Sequence, residues 1–166
     1  ITALIDDPEQ PEVNAGEEIP TGVAVFDRSG DQLFDPVTAL ATDGSGTWVA
    51  VMNDNEVFRS TNRGQGWTSV LGSGVGNLKD VAWTGTNFVV VGQLGFWRSS
   101  DATGGSWTKV EPSTSPEVEQ VAFDPDDEIL AAIAYGSVWT SSDHGQTWTE
   151  HDASTAGLQR ILHDPA

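Results

Sequence analysis

Ser141-Ser142-Asp143-His144-Gly145-Gln146-Thr147-Trp148 is the stretch on which the reading of this chain turns. Two other segments follow the same order of residue types: Arg59-Ser60-Thr61-Asn62-Arg63-Gly64-Gln65-Gly66-Trp67 and Arg98-Ser99-Ser100-Asp101-Ala102-Thr103-Gly104-Gly105-Ser106-Trp107. Their closing tryptophans stand 40 and 41 residues apart. Trp48, Phe88 and Ile129 each precede their tryptophan by 19 residues. A third column, Val81-Ala82-Trp83, Val121-Ala122-Phe123 and Ile161-Leu162-His163, holds a spacing of 40. Self-similarity at one period is the mark of a chain built from stacked supersecondary units.

Within each unit the apolar runs are short, rich in Val, Ile, Phe and Trp, and punctuated by Gly, Asp, Asn and Ser, which reads as strands and turns. The second unit is expected to place strands at 79–83, 88–91, 96–99 and 107–110, and the third at 119–123, 129–134, 138–141 and 148–150. No window sustains a helical period, so little helix is expected. Four strands per repeat of this length predict an all-β chain, a β-propeller of four-stranded antiparallel blades. Blades are expected over 38–70, 78–110 and 118–150, as parts of a single domain covering 1–166.

The segment from Ser141 to Trp148 matches the pattern Ser-x-Asp-x-Gly-x-Thr-Trp in full and resembles the Asp-box, or bacterial neuraminidase repeat, of sialidase-like propellers. The first copy has Asn62 for Asp and Gly66 for Thr, and the second carries one additional residue before Gly104. The resemblance implies a hairpin between the third and fourth strands of each blade, at its periphery. It implies a structural role for Ser60, Asn62, Gly64, Trp67, Ser99, Asp101, Gly104, Trp107, Ser141, Asp143, Gly145, Thr147 and Trp148. The physical logic agrees: an Asp side chain accepts N–H groups of its own turn, Gly supplies positive φ, and Trp supplies apolar area to pack between blades.

The two ends have complementary contents. Residues 158–165 copy 118–125, the first strand of a blade, with Asp164-Pro165 repeating Asp124-Pro125. Residues 1–5 suit a second strand, and 21–37 a third strand, a worn hairpin at 27–34 and a fourth strand. The expectation is a closing blade shared by 158–165, 1–5 and 21–37, giving four blades and no free sheet edge; a segment of a larger ring is the alternative. Small residues at Ala39, Ala41, Ala82 and Ala122 suit first strands crowded about an axis. Residues 6–20, with three prolines and six carboxylates, read as an acidic extended arm or loop.

Composition narrows the function. The chain has 166 residues, 7 Lys+Arg against 25 Asp+Glu, a net charge of −18 and no cysteine. So acidic a chain repels phosphate, so nucleic acid is not an expected partner. No apolar run approaches a membrane span, so membrane insertion is not expected. Without cysteine there is no disulfide framework or thiolate zinc site. His144, His151 and His163 lack zinc-ligand spacing, and no cofactor or metal is implied. The acidic cluster at 124–128 reads as an ordinary turn in preference to a calcium loop. The chain starts at Ile1 with no leader pattern, the expectation for a processed or trimmed piece.

A sialidase resemblance raises an enzyme reading. That family needs an arginine triad, a tyrosine nucleophile with a glutamate partner and an acid aspartate. This chain has one tyrosine, Tyr135, five scattered arginines, and no Phe-Arg-Ile-Pro signature. No catalytic residue is therefore expected in this chain. If the module has a binding face, it is the one formed by the second-to-third strand loops (53–55, 93–94, 135–136) and the inter-blade loops (73–77, 113–116, 152–157), which read as small and polar; that character suits a ligand and equally suits none. Asn53, Asp54, Asn55, Gln93 and Tyr135 are the candidate binding residues. The stretch 77–92 resembles Asp-box propellers of phage virion and bacterial surface proteins. The expected function is a non-catalytic structural, assembly or binding module of a virion or cell surface, with a protein partner in a larger assembly or a carbohydrate. The alternatives are part of a sialidase-like glycoside hydrolase whose catalytic groups lie outside this chain, and an assembly factor like the Asp-box propellers that help build photosystem II.

Overall fold

The computed structural model describes residues 36–152, apart from positions 53, 54, 73, 113 and 115. Among the described residues there are twelve strands and no helix. They are β1 (Val37–Thr42), β2 (Trp48–Met52), β3 (Val57–Ser60), β4 (Thr68–Leu71), β5 (Leu78–Trp83), β6 (Phe88–Gly92), β7 (Gly95–Ser99), β8 (Trp107–Val110), β9 (Val118–Asp124), β10 (Ile129–Ala134), β11 (Ser137–Ser141) and β12 (Thr149–Asp152). They form three four-stranded sheets, β1-β2-β3-β4, β5-β6-β7-β8 and β9-β10-β11-β12, each an antiparallel meander. The strands fall within one or two residues of the periods predicted from sequence, because Gly- and Asp-bearing turns bound each run. The arm at 6–20 and the closing-blade segments at 1–5, 21–35 and 158–165 lie outside the described residues; Val37 belongs to β1.

The first strands β1, β5 and β9 lie side by side. The sheets stack face to face, with one apolar cluster between each pair. Val49, Val51, Val57, Val75, Leu78, Val81, Phe88 and Val90 fill the space between the first and second sheets. Ala82, Val89, Val91, Phe96, Val118, Val121, Leu130, Ala132, Ala134, Trp139 and Trp148 fill that between the second and third. Strand β6 explains its own sequence: Phe88 and Val90 face one neighbour, Val89 and Val91 the other, so a central second strand is apolar at every position. Each of those valines is fully buried, and each contributes about 1.5–3 kcal/mol.

One repeat column needs correction. Trp48 pairs with Ser60 and Leu130 with Ser141, while the Phe88 N–H donates to Ser99 Oγ. The structural column is therefore Trp48, Phe88 and Leu130, not Ile129. Leu130 is fully buried and Ile129 is 37% exposed. The count of 19 misleads because the units differ in length. The first unit has an additional residue in its β2–β3 hairpin and the second has one in its β7–β8 hairpin; the third has neither. A slip of one residue in a strand changes the face a side chain occupies. Of the small residues expected near the axis, Ala82 is buried, and Ala39 and Ala41 are half-buried against the first cluster.

Candidate functional site

The meander puts the hairpins β1–β2, β3–β4 and their repeats on one face of the stack. The opposite face carries the second-to-third strand hairpins and the connections between sheets. The first of these faces holds the Ser-to-Trp segments. In the third, Ser141 Oγ donates to Asp143 Oδ1 at 2.8 Å and accepts the Gly145 N–H at 2.9 Å. Asp143 Oδ1 accepts the Thr147 N–H at 2.9 Å, and its Oδ2 accepts the Thr147 hydroxyl at 2.6 Å. The first segment repeats this with an amide. Ser60 Oγ donates to Asn62 Oδ1 at 2.8 Å, the Gly64 N–H donates to Ser60 Oγ at 2.9 Å, and the Gly66 N–H donates to Asn62 Oδ1 at 2.9 Å. In the second, the additional residue shifts the pattern. Ser99 Oγ donates to the Asp101 carbonyl at 2.8 Å, and Asp101 Oδ1 accepts the Thr103 N–H and hydroxyl at 2.8 and 2.6 Å.

These carboxylates serve their own turns. Partial burial pushes Asp143 up, but hydrogen bonds from Thr147, Ser141 and Gln146 outweigh it and leave the carboxyl below its usual range. Hydrogen bonds from Thr103 hold Asp101 low in the same way, helped by the charge of Arg59. In the β1–β2 turn, burial raises Asp43, yet bonds from Ser45 and Thr47 bring it to about 2. Asp124 Oδ1 accepts the N–H groups of Asp126 and Asp127, an acidic turn closed on itself. Among the described residues no group of three or more His, Asp or Glu is placed to hold a metal ion.

The same hairpins join neighbouring sheets. Gly145 has φ +82°, and a Cβ there would stand 2.8 Å from Val89 Cγ2 of the second sheet. Arg98 reaches forward from β7, its Nε donating to the His144 carbonyl at 2.9 Å and Nη2 to Asn87 Oδ1 at 3.3 Å. Asn87 Nδ2 donates to the same His144 carbonyl at 3.2 Å. Arg59 makes the matching reach, to the Thr103 carbonyl at 3.4 Å. Trp148 stacks on Phe96 of the second sheet, centroids 4.0 Å apart and planes 16° from parallel. Trp67 and Trp107 donate their indole N–H to the Gly64 and Gly104 carbonyls at 3.1 and 3.0 Å. Near the axis, Asp80 accepts the Val121 N–H of β9 at 3.0 Å and the Val81 N–H at 2.8 Å. Burial raises that carboxyl above its ordinary value, against the pull of the two N–H groups.

The opposite face carries the binding candidates. Asn53 and Asp54 lie outside the described residues. Asn55 has φ 72° and donates its N–H to the Met52 carbonyl at 3.2 Å. Gln93 is exposed at the β6–β7 turn, and its N–H donates to the Asn77 carbonyl at 2.8 Å. The Tyr135 N–H donates to the Glu117 carbonyl at 3.3 Å, while the residue is 96% exposed at the tip of β10–β11. The tips of the second and third sheets thus lean on the connections that precede them, while the first closes on its own strand. This face is less uniformly small and polar than its sequence suggests. Leu94 is 40% exposed, its side chain over Gly76. Gly95 lies beside Pro116, whose carbonyl O and Cδ are 3.9 and 4.0 Å from where a Cβ would stand. Pro116 and Glu117 therefore join the Leu94 and Tyr135 tips into one patch. The sequence places Leu94 and Pro116 in loops of this face but reads those loops as polar, and Glu117 carries no sequence signal of its own.

No family model matches this chain, and no curated protein is similar to it. Solved structures are similar in fold. A structure described as YCF48 bound to D1 peptide aligns with TM-score 0.55 and 17% identity over 70% of this chain and 42% of that one. An ancestral GH74 enzyme aligns with TM-score 0.61 and 18% identity, over 78% of this chain and 19% of that one. PorZ of Porphyromonas gingivalis, a bacterial surface component of the type-IX secretion system, aligns with TM-score 0.52 and 16% identity, over 72% and 17%. The chain thus spans less than half the length of each of these proteins. Four-stranded antiparallel sheets stacked face to face, first strands side by side, and this shared architecture lead to one conclusion: the chain has the β-propeller fold, and its three described sheets are blades.

Proposed function

We propose that this chain is a non-catalytic β-propeller module of the Asp-box kind that holds a protein partner within a larger assembly, on a virion or a bacterial surface. One observation carries the reading: Tyr135, the sole tyrosine, stands 96% exposed on the loop face. A large aromatic left in water has no folding role, and tyrosine is among the residues that anchor protein interfaces. On the opposite face the carboxylates of Asp43, Asp101, Asp124 and Asp143 bond to their own turns, as in a scaffold. The YCF48 structure with a peptide and the surface component PorZ support the reading as precedents for the fold. The test is a photo-cross-linking amino acid at position 135 in the native source, with position 126 on the other face as control. Adducts to one protein from 135 alone are expected. Equal adducts from both positions, or none from 135, would refute the reading.

A second reading has one observation in its favour. The alignment with the GH74 enzyme covers 19% of that chain, and on this reading the present chain is part of a glycoside hydrolase whose catalytic groups lie outside 1–166. Release of reducing sugar by the longer protein, abolished by substitution outside 1–166, would establish it.

A further inference from the structure

We infer that Leu94, Pro116, Glu117 and Tyr135 form a subsite for one cationic side chain, Arg or Lys, carried on an extended segment of the protein partner. The inference rests on the binding reading above and adds the chemistry of what is bound. The patch is continuous. The Tyr135 N–H is bonded to the Glu117 carbonyl, and Pro116, one residue earlier, lies against Gly95 in the neighbouring turn. Tyr135 is 96% exposed, so its ring is open to solvent and no neighbour covers it. An unshielded phenol face attracts cations through its quadrupole.

Charge selects the cation. The described loops of this face carry Glu56, Glu111 and Glu117 and no Lys, Arg or His. Lys109 pairs with Glu111 at 2.8 Å and Lys79 with Glu119 at 3.7 Å, so both lysines of the described residues are already matched to other acids. Glu117 is exposed next to Tyr135 in space. A guanidinium or ammonium over the ring has Glu117 on the adjoining connection, bonded to the Tyr135 backbone, while Leu94 and Pro116 offer apolar surface to the residue beside it. The net charge of −18 draws such segments in and repels acidic ones.

The experiment uses the full chain, isotope-labelled, at 0.15 M salt, where long-range attraction is screened. The probes are a blocked nonapeptide with one arginine between leucine and proline, the same peptide with glutamine in its place, and a neutral oligosaccharide. Expected are amide shifts concentrated at 93–95, 117 and 135–136 with the arginine peptide. Affinity should fall about tenfold for Tyr135→Ala and about threefold for Glu117→Gln, and stay unchanged for Asp126→Asn on the opposite face. Shifts spread over the acidic surface, equal loss in Asp126→Asn, or no binding of the arginine peptide would overturn the inference. Equal binding of the glutamine peptide at the patch would also overturn it while leaving the protein-binding reading intact. Binding of the oligosaccharide there in place of either peptide would defeat both.

Discussion

Replacing Gly145 by Ala should destabilise the fold far more than replacing Gly64, although both sit at the same position of the repeat. Gly145 has φ +82° and Gly64 φ +86°, so an L-residue at either pays a similar left-handed strain of roughly 1–2 kcal/mol. Their surroundings differ. At Gly64 the nearest atom to a new Cβ is Trp67 Cζ2 at 3.8 Å, an ordinary contact. At Gly145 it is Val89 Cγ2 at 2.8 Å, with Leu130 Cδ1 at 3.5 Å, and Val89 is fully buried between blades. Overpacking of that kind adds about 1–3 kcal/mol. Gly64→Ala is therefore expected to cost about 1–2 kcal/mol and Gly145→Ala about 2–5 kcal/mol. At ~2–4 °C per kcal/mol for a domain of this size, the two thermal midpoints should separate by several degrees. Urea unfolding followed by tryptophan fluorescence measures both. A double variant with Val89→Ala should show non-additivity, because the smaller side chain makes room for the new methyl. Equal losses for the two glycines, or strict additivity with Val89→Ala, would refute the claim that the hairpin wedges against the preceding blade.

Four further outcomes follow from the same structure. Phe96→Ala removes a fully buried ring stacked on Trp148 and should cost about 3–5 kcal/mol in urea unfolding, with a change in indole emission. Arg98→Ala removes the bonds to His144 and Asn87 and should cost ~1.5–3 kcal/mol, whereas Arg59→Ala, which loses one exposed bond of 3.4 Å, should cost less than half of that; thermal melts rank the two. The folded pKa of Asp143 lies below its unfolded value, so its contribution to stability is present above pH ~4 and is lost as pH falls through the folded pKa. Asp143→Asn should keep most stability at pH 7, as Asn62 does in the first hairpin, and should flatten the acid limb of a stability–pH profile. Asp80 works in the opposite sense. Its raised pKa favours the folded state below the unfolded value, and that gain is lost as pH rises through the folded pKa, so Asp80→Asn should remove a loss seen on the neutral side.

The repeat was legible because it is local chemistry. Ser141, Asp143, Gly145 and Thr147 close a turn by bonds within a few residues, and such a turn requires the same residue types wherever it recurs. From spacing alone, the period, the strand count and the all-β class could be read. Register could not. The additional residues in the first and second units displaced the count, so Ile129 stood where Leu130 belongs, and only strand pairing decides which side chain faces the core. The character of the loop face was also a tertiary matter. Leu94, Pro116, Glu117 and Tyr135 come from three separate loops; the repeat puts those loops on one face, but spacing does not say which of them lie against one another. Stacking two blades side by side does, because it sets one hairpin tip and the next against the same connecting loop.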